Sequence, residues 1–209
     1  MKIMMINGSP HSKGCCNMAL SKMEEIFKEE GIETEYVWLG TKPISGCIGC
    51  GSCKKTGHCI FTEDMLVETV EKFKNCDALI VASPVHYAAA SGAITSFLDR
   101  FFYSSNKADL AMKPAAAVIS CRRGGASAAF DQLNKYFTIS QMPVVSSTYW
   151  NQVHGTNAEE VLKDEEGIRT VRMLAKNMVY VMKAFALAKN NGCKLPQADE
   201  PVMTNFIRE

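Results

Sequence analysis

Apolar positions along this chain come in two alternating patterns: short unbroken runs of strand length, and longer stretches where they return every three or four residues. Lys2 to Ile6 is the first short run, closed by Asn7-Gly8-Ser9-Pro10, and predicts a buried strand ending in a turn. From Asn17 to Glu30, Met18, Leu20, Met23, Ile26 and Phe27 fall at helical spacing, and Gly31 stops the helix. Glu33 to Leu39, rich in β-branched and aromatic residues, predicts a second strand. Asp64 reads as the N-cap of a helix through Phe73. Ala78 to Ala82 predicts a third strand, followed by a helix from about Ala89 to Phe102. Ala115 to Ser120 predicts the fourth strand, Ala126 to Ile139 a helix, and Pro143 to Ser147 a short fifth strand. One long helix is expected from Asn157 to Lys189.

Strands alternating with helices predict an α/β fold, a doubly wound parallel sheet with helices on both faces. The run Ala78-Leu79-Ile80-Val81-Ala82 suits a strand buried on both sides. No repeat or linker divides the chain, so a single domain over 1-209 is expected, with a cysteine-rich loop at 41-63 and a C-terminal tail at 191-209.

Composition narrows the function classes. Hydrophobic residues make up 47% and charged residues 22%, a globular balance. Lys and Arg number 23 against 22 Asp and Glu, a net charge of +1, so no field favours nucleic acid or a membrane surface as partner. No apolar run approaches the ~18 residues of a membrane span, and the first residues lack signal-peptide architecture. A cytoplasmic protein is expected. Nine cysteines, an odd number, then argue against a disulfide scaffold, since cytosolic thiols are kept reduced.

In open α/β sheets, ligands bind beyond the carboxyl ends of the strands, where three loops carry chemistry. The first runs from Asn7 to Asn17 and joins a strand to a helix N-terminus, where hydroxyls, free amides and the helix dipole suit a phosphate. It is neither a Walker loop nor a Gly-x-Gly-x-x-Gly fingerprint, and a plain polar turn is the alternative. The second, Ser83-Pro84-Val85-His86-Tyr87, offers an aromatic pair to a flat ligand, or a Pro-led turn with Tyr87 packed on the next helix. The third places Arg122 and Arg123 beside Gly124-Gly125, an anion contact or a pair of solvated charges.

Gly8-Ser9-Pro10, Ser83-Pro84-Val85-His86-Tyr87 and Leu98-Asp99-Arg100, in this order and separation, resemble the NADPH-dependent FMN reductase family of flavodoxin-like proteins. The resemblance covers nearly the whole chain and implies a five-stranded sheet in order 2-1-3-4-5 that binds FMN. It implies a phosphate on Ser9, His11, Ser12, Cys15, Cys16 and Asn17. The isoalloxazine ring would rest against Pro84, Val85, His86 and Tyr87, with Ser120, Cys121, Arg122, Arg123 and Gly124 on its other edge. The sequence departs from the family pattern at His11, often Arg, at His86, often Tyr, and at Cys15 and Cys16, which replace small hydroxyl residues. A neutral imidazole at position 11 shifts phosphate binding toward backbone amides.

Four cysteines fall within thirteen residues, Cys47, Cys50, Cys53 and Cys59, spaced C-x2-C-x2-C-x5-C. Three thiolates at two-residue gaps with glycines between them can wrap a cubane, and the fourth completes the ligation of a [4Fe-4S] cluster. The run resembles that of the iron–sulfur flavoproteins, which share this fold family. Zinc and a metal-free loop are the alternatives, although zinc more commonly takes two separated knuckles. Cys76 reads as a core residue, Cys121 as pocket lining or flavin contact, and Cys193 as incidental. His58 reads as a solvated loop residue, and Met173, Met178 and Met182 as core. The patch from Tyr149 to His154 packs under the last helix or, by the resemblance, reaches a neighbouring subunit.

The expected function is an FMN-dependent oxidoreductase, with no side chain required as acid, base or nucleophile. The resemblance implies hydride delivery from NAD(P)H to flavin N5, or electrons from a ferredoxin. Electrons would leave to a quinone, an azo or nitro compound, free flavin or the cluster, in a homodimer or homotetramer. The alternative is a non-enzymatic flavodoxin-like carrier, disfavoured by the near-zero net charge. A metal-binding module without flavin leaves the first loop unexplained.

Overall fold

A computed structural model of the protein describes residues 1–197, 199, 200, 202 and 204. The tail expected at 191-209 therefore lies partly outside the described residues. The first half comprises β1 (Lys2–Asn7), α1 (Cys15–Glu29), β2 (Glu33–Trp38), α2 (Cys53–Thr56), α3 (Leu66–Lys74), β3 (Ala78–His86) and β4 (Ala89–Ala90). Then follow α4 (Gly92–Ser104), α5 (Lys107–Leu110), β5 (Ala115–Cys121), α6 (Ala126–Ile139), β6 (Gln152–His154), α7 (Ala158–Lys163) and α8 (Glu165–Asn190). Among the described residues no helix is long and apolar enough to cross a membrane.

Five strands pair in parallel in the order β2-β1-β3-β5-β6. This is 2-1-3-5-6 where 2-1-3-4-5 was expected, because β4 takes a number without joining the path; it pairs antiparallel with the end of β3. Register places Ile6 opposite both Val37 and Val81, and Val81 opposite Ala117. Alternation along the strands feeds two cores. Ile3, Met5, Ile80 and Val118 face α1 and α8, whereas Met4, Ile6, Leu79 and Val81 face α3, α4 and α6. The second core holds Phe73 edge-on to Phe101 and Phe97 stacked on it, with ring centroids 5.5 and 6.0 Å apart. Cys76 is buried and Cys193 exposed.

Four expectations need correction. The fifth strand is not Pro143 to Ser147. That segment makes a single isolated bridge, Val144 to Ala115. The Ser147 hydroxyl then bonds the Tyr149 carbonyl at 2.6 Å and Asn151 Oδ1 at 2.7 Å, curling the chain away. Buried Asn151 brings it back, donating to the Ala117 carbonyl at 3.1 Å, and Gln152–His154 becomes the edge strand. The long last helix is broken at Asp164, whose carboxylate accepts the Gly167 amide at 2.9 Å and the His154 amide at 2.6 Å. Residues 84–86 are strand, since β3 continues through its pairing with β5 to Pro84 and Ser120 and then folds into the β4 hairpin. The helix after β3 starts later than Ala89, at Gly92, because Ser91 caps it through the Ile94 amide.

Candidate cofactor cleft and cysteine pocket

The loop after β1 is held by short contacts. Asn7 Oδ1 accepts the Ser9 amide at 2.9 Å, Ser9 Oγ accepts the His11 amide at 3.2 Å, and Trp38 Nε1 donates to the Ser9 carbonyl at 2.8 Å. Gly8 donates to the Ala82 carbonyl at 2.8 Å and accepts from Ser91 Oγ at 2.9 Å. It lies so close to α4 that a Cβ there would meet Ile94 Cβ at 2.7 Å. Behind the loop, α1 begins after Gly14, which has no side chain to cap it. A Cβ at Gly14 would meet His11 Cβ at 2.9 Å. The leading amides of α1 thus lack a side-chain cap at the positive end of the helix dipole, an arrangement suited to an anion.

A cleft of about 670 Å³ opens there. Of the expected residues, Ser9, His11, Ser12 and Cys15 line it from the first loop. Pro84 and Val85 line it from β3, and Ser120, Cys121 and Arg122 from the end of β5. The other candidates lie outside the lining. Cys16 is 1% exposed, its sulfur 3.1 Å from Ser120 Oγ. Burial pushes its thiol up to about 12 against the opposing Ser120 bond, so it remains protonated. Asn17 Oδ1 accepts from the Tyr36 hydroxyl at 2.8 Å, which accepts from Asn7 Nδ2 at 2.7 Å. Burial also raises the Cys15 and Cys121 thiols above their ordinary value.

His86, Tyr87, Arg123 and Gly124 likewise stand beyond the lining. Tyr87 is fully exposed, and Tyr87 (φ 49°) and Ala88 (φ 60°) form a left-handed hairpin tip. Such backbone costs on the order of 1–3 kcal/mol per residue. Gly125 lets the tip seat, for a Cβ there would meet Ala88 Cα at 2.6 Å. The segment from Gly155 to Ala158 also lines the cleft and was missed from sequence, where it reads only as the approach to a helix. Cys15 Sγ contacts the Gly155 carbonyl at 3.5 Å across that gap. Pro10, Lys13 and Gly14 complete the first loop's contribution.

The second site is the cysteine loop. Gly49, Gly51 and Gly57 sit at φ 67°, 69° and 79°, where glycine alone is unstrained, and they turn the chain so that all four cysteines line one pocket. Cys47 and Cys50 are exposed, Cys53 and Cys59 half-buried. Bonds from Ser52 lower the Cys50 thiol below its ordinary value. Cys53, at the start of α2, donates to the Tyr103 carbonyl at 3.7 Å. Arg100 Nε lies 3.3 Å from Cys59 Sγ. His58 is exposed and its Nδ1 lies 3.0 Å from the Cys59 carbonyl. Among the described residues no three metal-ligating side chains are gathered tightly enough to share one ion. A cubane differs from a single ion in giving each thiolate its own iron, so a looser set of four thiols with flexible glycine joints fits it. The space enclosed among them is about 20 Å³, and Cys47 and Cys50 border it from the exposed side.

Tyr149 and Trp150 stand half-exposed with ring centroids 5.0 Å apart. His154 instead pairs with Asp164 at 3.4 Å.

The family model for NADPH-dependent FMN reductases matches residues 1–157. An iron–sulfur flavoprotein of Methanocaldococcus jannaschii is 31% identical over 194 residues, covering 88% of this chain and 98% of its own length. An iron–sulfur flavoprotein of Methanosarcina thermophila is 29% identical over 188 residues, covering 88% and 96%. Among solved structures, a flavoenzyme NAD(P)H:(acceptor) oxidoreductase from Paracoccus denitrificans superposes with a TM-score of 0.65 at 14% identity, covering 88% of this chain and 97% of that one. The flavodoxin-like sheet, the uncapped helix start after its first strand and these likenesses agree, and the chain belongs to the NADPH-dependent FMN reductase family of flavoprotein oxidoreductases.

Proposed function

We propose that FMN occupies the cleft, that Cys47, Cys50, Cys53 and Cys59 hold a [4Fe-4S] cluster, and that electrons pass from NAD(P)H or a ferredoxin to a small acceptor. Quinones, azo or nitro compounds and free flavin are the acceptor class. The carrying observation is the uncapped N-terminus of α1 opening onto a cleft of about 670 Å³ at the carboxyl end of the sheet. There the α1 amides, Ser9 and Ser12 bind the phosphate, and Pro84 and Val85 give the ring an apolar wall. Bound FMN supplies the redox chemistry, exchanging electrons in pairs or singly. The protein supplies position and charge: protonated Cys16 adds none, and exposed Arg122 presents a cation to an anionic cosubstrate.

Helix α4 joins the two sites. Ile94 underlies Gly8, Ser96 lies 3.8 Å from the place of a Cβ on Gly46, and Arg100 touches Cys59. Ile94 and Arg100 are about 9 Å apart along the helix axis, so one helix runs from the loop after β1 to the cysteine pocket. The names of the relatives, iron–sulfur flavoproteins, support the cluster. Tyr149 and Trp150 support a homodimer or homotetramer contact, and the odd count of nine cysteines supports a cytoplasmic setting in which thiols stay reduced.

The test is anaerobic purification followed by a visible spectrum, iron and sulfide analysis, and NADPH oxidation with a quinone. Flavin bands, iron and sulfide in equal amounts, and quinone-dependent loss of NADPH absorbance are expected. Colourless protein that takes up no FMN would remove the flavin reading, and flavin without iron would remove the cluster.

A further inference from the structure

Arg100 heads the fully buried side chains by volume, at 1% exposure on α4 among Phe97 and Phe101. A cation in that position is costly unless fully paired, and the partners of its side chain lie in the cysteine loop and at Asp64, the residue that follows it. Nη1 donates to the Ser45 carbonyl at 3.3 Å and to the Asp64 carboxylate. Nη2 donates to the Phe61 carbonyl at 2.7 Å and to Asp64 Oδ1 at 3.2 Å. Nε donates to Cys59 Sγ at 3.3 Å, and the Phe61 ring lies 5.4 Å from the guanidinium carbon. Carbonyls and a carboxylate would suffice to fasten a loop. A neutral thiol is a weak acceptor, and an arginine N–H aimed at one gains strength only when the sulfur carries negative charge.

Resting on the cluster reading above, we propose that Arg100 sets the reduction potential of the cluster through its hydrogen bond to the ligand sulfur of Cys59, with Asp64 as the counter-charge that limits the shift. An electron entering the cluster raises the negative charge on its sulfurs. A donor and a fixed cation at one sulfur therefore favour the reduced form over the oxidised form. Asp64, bonded to the same guanidinium, opposes this. Arg100 is a positioning residue here, acting through Cys59. A guanidinium does not lose its proton in proteins, so the bias holds across physiological pH.

The test uses anaerobic holoprotein in wild-type, Arg100→Met, Arg100→Lys and Asp64→Asn forms. Iron and sulfide are measured first, and then the cluster is titrated against solution potential by electron paramagnetic resonance, with the flavin midpoint as internal reference. Arg100→Met is expected to lower the reduced-to-oxidised ratio at the wild-type midpoint at least tenfold, about 59 mV for one electron. Asp64→Asn is expected to raise that ratio, and the flavin midpoint stays in place in both. Arg100→Lys, which keeps the cation but loses the forked donors, gives a smaller fall and decides the matter if Arg100→Met does not fold. A merely structural anchor leaves the midpoints unchanged or moves all variants in one direction, and either result overturns the proposal. Wild-type protein without iron and sulfide overturns the underlying cluster reading instead, and this is visible before any variant is titrated.

Discussion

Gly14 shows how a single position governs the cleft. It starts α1 without a side-chain cap and has no room for a methyl group beside His11. Gly14→Ala is expected to raise the FMN dissociation constant about tenfold, ~1.4 kcal/mol, read by quenching of flavin fluorescence; an unchanged constant would place the phosphate elsewhere. Cys16 gives a second prediction, in pH. Its thiol is raised from 9.0 to about 12 by burial. The stability this contributes is complete below pH 9 and is lost as pH rises toward 12, because the unfolded chain releases the proton first. Cys16→Ala should flatten that alkaline limb by ~1.4 kcal/mol per pH unit, measured by denaturant unfolding. A limb of unchanged slope would mean that Cys16 ionises freely in the folded protein. The sequence shows Cys16 as a neighbour of the phosphate loop, but only the packing of α1 on β5 turns its thiol inward to Ser120.

At the scale of elements, hydrophobic period located every long helix and four of the five parallel strands, β2, β1, β3 and β5, because each buries a face whose spacing is written in the chain. It misplaced the edge strand β6. Pro143 to Ser147 is as apolar as a strand, yet its continuation is decided by polar bonds of Ser147 and Asn151 that no period reports. The break at Asp164 is of the same kind. Its carboxylate caps α8 and holds the amide of His154 at the end of β6, so one side chain seats two elements. Asp164→Ala should cost ~1–2 kcal/mol, seen as a lowered denaturation midpoint, whereas Asp164→Asn, which keeps an acceptor, should lose less. Equal losses would point to charge instead of hydrogen bonding as the cause.

At the scale of the molecule, the cysteine loop is fastened to the fold by the bonds of Arg100 and by the packing of Ile44 and Cys59, contacts that need no metal. The two cores are filled by the sheet and its helices, with Cys59 the cysteine of the run that packs against them. On the proposed cluster reading, removing iron with air and a chelator should therefore leave far-ultraviolet circular dichroism and bound FMN unchanged while proteolysis between residues 41 and 63 becomes faster. Loss of the whole fold on iron removal would instead make the cluster a structural element.

The sequence by itself determined the doubly wound sheet, the loop after β1 and the four-cysteine run, since burial period, turn residues and ligand spacing are local properties of the chain. Tertiary structure alone decided which candidates meet. It brought Gly155 to Ala158 to the cleft from far along the chain and turned Asn17 toward Tyr36. It also set Arg100 against Cys59 and Asp64. The physical reason is that a buried cation must find its partners wherever the fold brings acceptors, and residues 41 and 36 positions away in sequence become neighbours only when α4 packs beneath the loop.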